Sequence, residues 1–152
     1  MSYLTADARQ QLLDDLAVAI EALARSLAEL GAAYDLLDEH SADVMEESLF
    51  RPIQSAYGRA QRTHAGFAER HKLPTRRFVP AGAPPVSHGA RTLIDDAVDA
   101  VADAEDALAE LQDSMLPVEV GDAELRAGLA AVRETLGVVP DHARELTRRL
   151  GR

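Results

Sequence analysis

The chain contains no cysteine. Disulfides, thiolate nucleophiles, thiolate zinc sites and c-type haem attachment are therefore excluded. Tryptophan is also missing and aromatics are only 4% of residues, while strand formers are scarce outside the periodic segments. Ala, Leu, Glu, Asp and Arg dominate instead, which is helix composition. Lysine is nearly absent: of 16 basic residues all but Lys72 are Arg. That bias, with the abundance of Ala, points to a high-GC bacterial genome. No run approaches the roughly 18 uncharged apolar residues of a membrane span. The start, Met1-Ser2-Tyr3-Leu4-Thr5-Ala6-Asp7, lacks the basic and apolar regions of a signal peptide. Membrane contact is not expected, and a cytoplasmic location is the default expectation.

The 152 residues fit one domain, 1–152, and a chain of this size buries enough surface to fold without a staple. Four segments carry apolar rows at 3-4 spacing. The first, about 5–38 with Thr5 as N-cap, holds Leu13, Leu16, Ile20, Leu23, Leu27, Leu30, Tyr34 and Leu37. The second, about 41–73 with Ser41 as N-cap, holds Leu49, Ile53, Ala56, Ala60, Thr63 and Phe67. Pro52 is expected to kink or restart it, since proline cannot donate to Ser48. The third, about 90–115, holds Ile94, Ala97, Val101, Ala104, Leu108, Leu111 and Met115. The fourth, about 122–150 with Asp122 as N-cap, holds Leu125, Leu129, Val132, Leu136, Val139, Ala143, Leu146 and Leu150. Its phase passes through Gly137 and Pro140, which predicts one kinked helix, with Asp141 capping a short separate helix as the alternative. Residues 74–89 contain four Pro and two Gly and read as a linker. The expected fold is all-α, a four-helix bundle of long antiparallel helices. The linker is long enough to turn locally or to cross the whole bundle, at about 3.1 Å per residue.

The net charge of −10 is segregated. Residues 1–47 have 11 acids against 2 bases, 48–91 have 1 against 8, 92–125 have 11 against none, and 126–152 have 3 against 6. The helices thus alternate acidic, basic, acidic, basic. Complementary charges are expected to make the basic second helix the neighbour of the acidic first and third. The whole molecule repels a phosphate backbone at long range, so nucleic acid is not an expected partner, although Arg59, Arg62, Arg70, Lys72, Arg76 and Arg77 form a basic segment. The acids of the third helix, Asp95, Asp96 and Asp99 among them, read as a solvated face or a lure for a basic partner.

No Ser/His/Asp order, nucleophile elbow, Gly-x-Gly-x-x-Gly or Walker loop occurs. None of the five histidines follows a Glu by three residues, and no two lie three or four apart. Carboxylate di-metal and helical zinc sites are not expected, nor is a cofactor. Phe50, Tyr57, His64 and His71 fall every seventh residue, a ring-bearing stripe beside the second seam. With Arg76, Arg77 and Phe78 of the linker, a basic and apolar strip for docking, these rings supply the candidate binding set Tyr57, His64, His71, Arg76, Arg77 and Phe78. Histidine is the side chain that switches charge near neutral pH. The string Thr63-His64-Ala65-Gly66-Phe67-Ala68 is similar to histidine-phosphotransfer modules in fold class and in having a His on the second helix. Those modules carry Lys then Gly three and four residues after the His, where this chain has Phe67 and Ala68. The leading expectation is a non-enzymatic bundle acting by protein–protein contact, with another protein or with itself as a homodimer. The alternative is a small-ligand or phosphotransfer bundle using the His64 face.

Overall fold

The apolar rows become helices, and the charges predict only some of their neighbours. The computed structural model describes residues 3–85 and 87–150 and is helical, with no strand among the described residues. No helix there is long and apolar enough to cross a membrane.

Helix α1 spans Tyr3–Tyr34. It starts before Thr5, which lies inside its first turn rather than capping it, and it stops short of Asp38. The next N-cap is Asp38, not Ser41: its backbone is extended and its carboxylate accepts the Ser41 N–H at 2.6 Å. That bond to the Ser41 backbone holds the Asp38 carboxyl below its ordinary pKa. A charged carboxylate at a helix N-terminus is favoured over a hydroxyl three residues later. Helix α2, Glu39–Met45, runs through a π-helical turn at Glu46–Phe50 into α3, Arg51–Arg70. The π turn is how the chain accommodates Pro52, an extra residue inserted just where the proline removes a donor. Helix α3 ends at Arg70, three residues before the expected boundary. Lys72 adopts a left-handed conformation (φ 58°), and Leu73 N–H reaches back to the Ala68 carbonyl at 2.8 Å, a Schellman closure.

Helix α4 spans Ala90–Asp113. Met115, expected on its seam, instead turns the chain at φ 69° and is 48% exposed. The connection expected at 116–121 holds a single helical turn, α5, Leu116–Glu119. Helix α6, Ala123–Leu136, is capped by Asp122, whose side chain accepts the Leu125 N–H. The turn at Gly137-Val138 separates it from α7, Val139–Leu150. The fourth segment is thus two helices, not one kinked helix, and Asp141 lies in the first turn of α7 rather than capping it. The apolar phase still crosses the break, since Val139, Ala143 and Leu146 are buried.

The contacts fix direction. Ser26 Oγ donates to the Ala97 carbonyl, and Arg9 Nε to Val120, so α4 runs antiparallel to α1. Arg70 meets Asp122 while His142 meets Ser48, so α6 and α7 run antiparallel to α3. Tyr57 lines a cavity with Ile20 and Ala24 while His64 lies near Asp14, so α3 also runs antiparallel to α1 and points the same way as α4. The non-helical stretch between them travels the length of the molecule, past Glu21 (to Arg76), His64 (beneath Phe78) and Asp96 (beside His88).

The most extensive helix contact joins α1 to α4, the two acidic rods, and the next joins α3 to α6. This corrects half of the charge-based expectation: α3 neighbours α1 as expected, but its other neighbour is α6 rather than α4. Buried leucines and alanines decide. Leu12, Leu13, Leu16, Ala19, Ile20 and Leu23 of α1 and Ile94, Ala97, Val101, Ala104 and Leu108 of α4 belong to one apolar cluster, which also takes in α3, α6 and α7. Each such side chain is worth about 1.5–3 kcal/mol when buried, against about 0–1 kcal/mol for an exposed charge pair. The exposed contact Arg25–Asp103 (3.9 Å) eases the acid-on-acid seam only slightly. Its strain shows in Glu29, whose pKa is raised by burial and by the neighbouring Asp96.

Candidate functional site

Of the six residues singled out in the sequence, four meet. Tyr57 of α3 and Arg76, Arg77 and Phe78 of the crossing stretch line a small cavity of about 70 Å³ over Ile20, Glu21 and Ala24 of α1. Pro74 and Pro80 favour extended backbone here, which lets alternate side chains face the helices. Arg76 donates to Glu21 at 3.0 Å and stacks over the Phe78 ring at 4.8 Å. Partial burial raises the Tyr57 phenol.

His64 lies one layer deeper. It is 3% exposed, and Phe78 closes on it edge-to-face at 5.1 Å. Burial lowers its pKa and the Arg76 cation adds to this, with Asp14 and the Leu13 backbone pulling the other way. Its Nδ1 has no hydrogen-bond partner. A ring so placed is neutral and packed. A phosphoryl donor would have to displace Phe78 to reach it.

His71 stands apart from this cavity. It tilts against Phe67 (4.4 Å) and its Nε2 lies 2.9 Å from Asp122. Asp122 also receives two bonds from Arg70, whose remaining arm reaches Glu124 at 2.9 Å. The Arg70 bonds hold the Asp122 carboxyl well below the usual carboxylate range, with Leu125 N–H and His71 assisting. This cluster ties the end of α3 to the start of α6. Phe50, the remaining member of the stripe, packs half-buried against the core.

A larger opening lies elsewhere, between α4 and α7, and measures about 570 Å³. Val98, Pro140 and Ala143 supply apolar lining. Asp95 and Asp99 stand on the α4 wall, and Arg144 and Arg148 on the α7 wall. Each acidic pair and each basic pair is spaced by four residues, so each pair shares one helix face. The arginines pair locally with Asp141 and Glu145 on exposed surface, whereas Asp95 and Asp99 have no ion-pair partner among the described residues. Sequence reading marked Asp95 and Asp99 as part of an acidic face but missed that Arg144 and Arg148 oppose them. The i,i+4 spacing of the arginines was the available signal. Among the described residues no three His, Asp or Glu side chains are placed to hold a metal ion.

No family model, curated protein or solved structure matches this chain.

Proposed function

We propose that the chain is a four-helix bundle, its second and third helices joined by an overhand linker, that works by protein–protein contact and without chemistry. The α4–α7 groove is its docking face, and a second copy of the chain is the occupant. The supporting observation is that Asp95 and Asp99 of α4 and Arg144 and Arg148 of α7 line the same groove. A two-fold axis running along the groove preserves height and exchanges the walls. It would set Asp95 and Asp99 of each copy against Arg144 and Arg148 of the other, twice, over an apolar lining. The non-enzymatic part of the reading is supported by the scattering of the histidines. His64 lies under Phe78, His71 on Asp122, His142 on Ser48 and His88 near Asp96.

Sedimentation equilibrium across a wide concentration range is the test. The wild type is expected to pass from monomer to dimer, with weaker association at high salt. Reversing one wall, as D95R/D99R or R144E/R148E, should leave each variant monomeric. Mixing the two variants, or reversing both walls in one chain, should restore the dimer. A wild type that stays strictly monomeric at high concentration overturns the proposal.

A further inference from the structure

A second opening lies on the opposite pair of helices, α3 and α6, and has a different chemistry. It measures about 220 Å³ and is lined by Arg59, Arg62, Thr63, Arg70, Glu124 and Ala127. Ligand pockets for drug-sized molecules occupy about 300–1,000 Å³, so this one suits a smaller guest. Three arginines line it in a protein whose net charge is −10. Residues 59, 62 and 70 are spaced so that one face of α3 carries all three. Arg70 is held by Asp122 and Glu124. Arg59 and Arg62 have no acidic partner among the described residues, although acids outnumber bases in the chain by 26 to 16.

Glycines shape the site. A Cβ on Gly58 would lie 3.2 Å from Arg62 Nη1, and one on Gly66 would lie 2.9 Å from Arg70 Nη1. Each arginine thus folds back over a glycine four residues earlier, laying its planar fork along the helix instead of into solvent. A mid-helix glycine costs about 1 kcal/mol relative to alanine, and α3 carries two. The Thr63 hydroxyl donates to the Arg59 carbonyl at 2.8 Å, and Thr63 is itself part of the pocket lining. Glu124 has a side chain 77% exposed and is free to swing out, releasing one Arg70 arm.

From this we infer that the α3–α6 pocket binds a small phosphate-class oxyanion, either free phosphate or a phosphomonoester. Arg59 and Arg62 supply forked donors, as guanidinium–phosphate pairs do. Arg70 supplies a pre-positioned third cation, and Glu124 serves as the counter-ion that the guest displaces. The pocket is separate from the α4–α7 groove, so the inference does not depend on self-association.

The test is an NMR titration of the full chain at low, constant ionic strength, following the arginine side-chain Nε–H signals and the Thr63 amide. One arm uses inorganic phosphate and the other glycerol phosphate, with sodium chloride of equal ionic strength as the blank. Saturable shifts at Arg59, Arg62 and Thr63 are expected. Tighter binding of the ester than of the free ion assigns a phosphomonoester, and the reverse assigns free phosphate. The exposed pair R59Q/R62Q should bind about tenfold more weakly or worse, the loss expected for charge-assisted hydrogen bonds. R51Q/R91Q removes the same charge from exposed positions outside the pocket lining and should bind as the wild type does. Shifts that are no larger than the chloride blank, or an equal loss in both double variants, would overturn the assignment.

Discussion

His142 of α7 donates its Nδ1–H to the Ser48 carbonyl at 2.6 Å. Ser48 is the residue to which a donor at position 52 would bond in an α-helix, and position 52 is proline. A side chain from the far end of the sequence thus serves a carbonyl that lost its regular partner. Removing the imidazole leaves that acceptor half-buried and under-bonded, a loss of about 1–3 kcal/mol. His142→Ala should therefore lower the urea midpoint at unchanged m-value. Pro52→Ala restores a backbone N–H, and in the H142A background it should recover much of the loss. Strictly additive effects in the double-mutant cycle would refute the coupling.

Gly128 of α6 rests on Thr63 of α3. A Cβ there would lie 2.7 Å from the threonine methyl and nearer still to its hydroxyl. Alanine ordinarily favours a helix over glycine by about 1 kcal/mol, but here overpacking costs about 1–3 kcal/mol. Gly128→Ala is expected to destabilise, and Thr63→Ala in the same chain to turn it into a stabilising change. Thermal denaturation of the three variants decides the sign.

His64 makes stability rise with pH. Its folded pKa is depressed by burial below the ordinary 6.5, so below that value the unfolded chain takes up a proton that the folded chain refuses. Full stability is present above the unfolded pKa, and it declines as pH falls from about 7 toward the folded value. Relative to wild type, His64→Leu should flatten this slope in denaturant titrations between about pH 7 and pH 5. Phe78→Ala opens the ring to water, and NMR should then find the His64 pKa moved up toward its ordinary value.

Asp122 acts in the same direction, over a more acidic range. Its carboxyl pKa is depressed by Arg70, so its contribution is present above the unfolded value near 3.8 and is lost as pH falls through the acid range below it. Asp122→Asn keeps a good N-cap but gives up the charge, and should cost less at pH 3 than at pH 7. Asp122→Ala also loses the cap, a further 0.5–2 kcal/mol or about that. Equal losses for the two variants at neutral pH would show that the cap contributes nothing.

Much of the architecture was legible in the chain because apolar periodicity reports burial directly. Ile20, Val101 and Leu136, taken from three different rows, are all at or below 3% exposure. Boundaries were harder because caps compete locally. Asp38 and Ser41 are both good N-caps, and the decision rests on which N–H the carboxylate can reach. Met115 fitted the third row by spacing, yet the backbone turned before the row could be completed. Charge misled about some neighbours because exposed ions act weakly through water, so two acidic rods pack together wherever their apolar faces match. The candidate sites were legible only in part. Arg59, Arg62 and Arg70 share a face by spacing alone, but that α6 would wall them in depended on which helix lay beside α3. The opposition of Asp95 and Asp99 to Arg144 and Arg148 depended likewise on tertiary pairing.

The stretch from 71 to 89 is a tether of fixed reach. Its 19 residues extend to about 59 Å at 3.1 Å each, whereas the 24-residue α4 it must run beside is about 36 Å long. The slack is modest. A chain relieved of roughly ten of these residues could no longer bring its first helical hairpin to its second within one molecule, and the two hairpins would find each other in trans. The length of this strap therefore sets whether folding closes within one chain or exchanges halves between two.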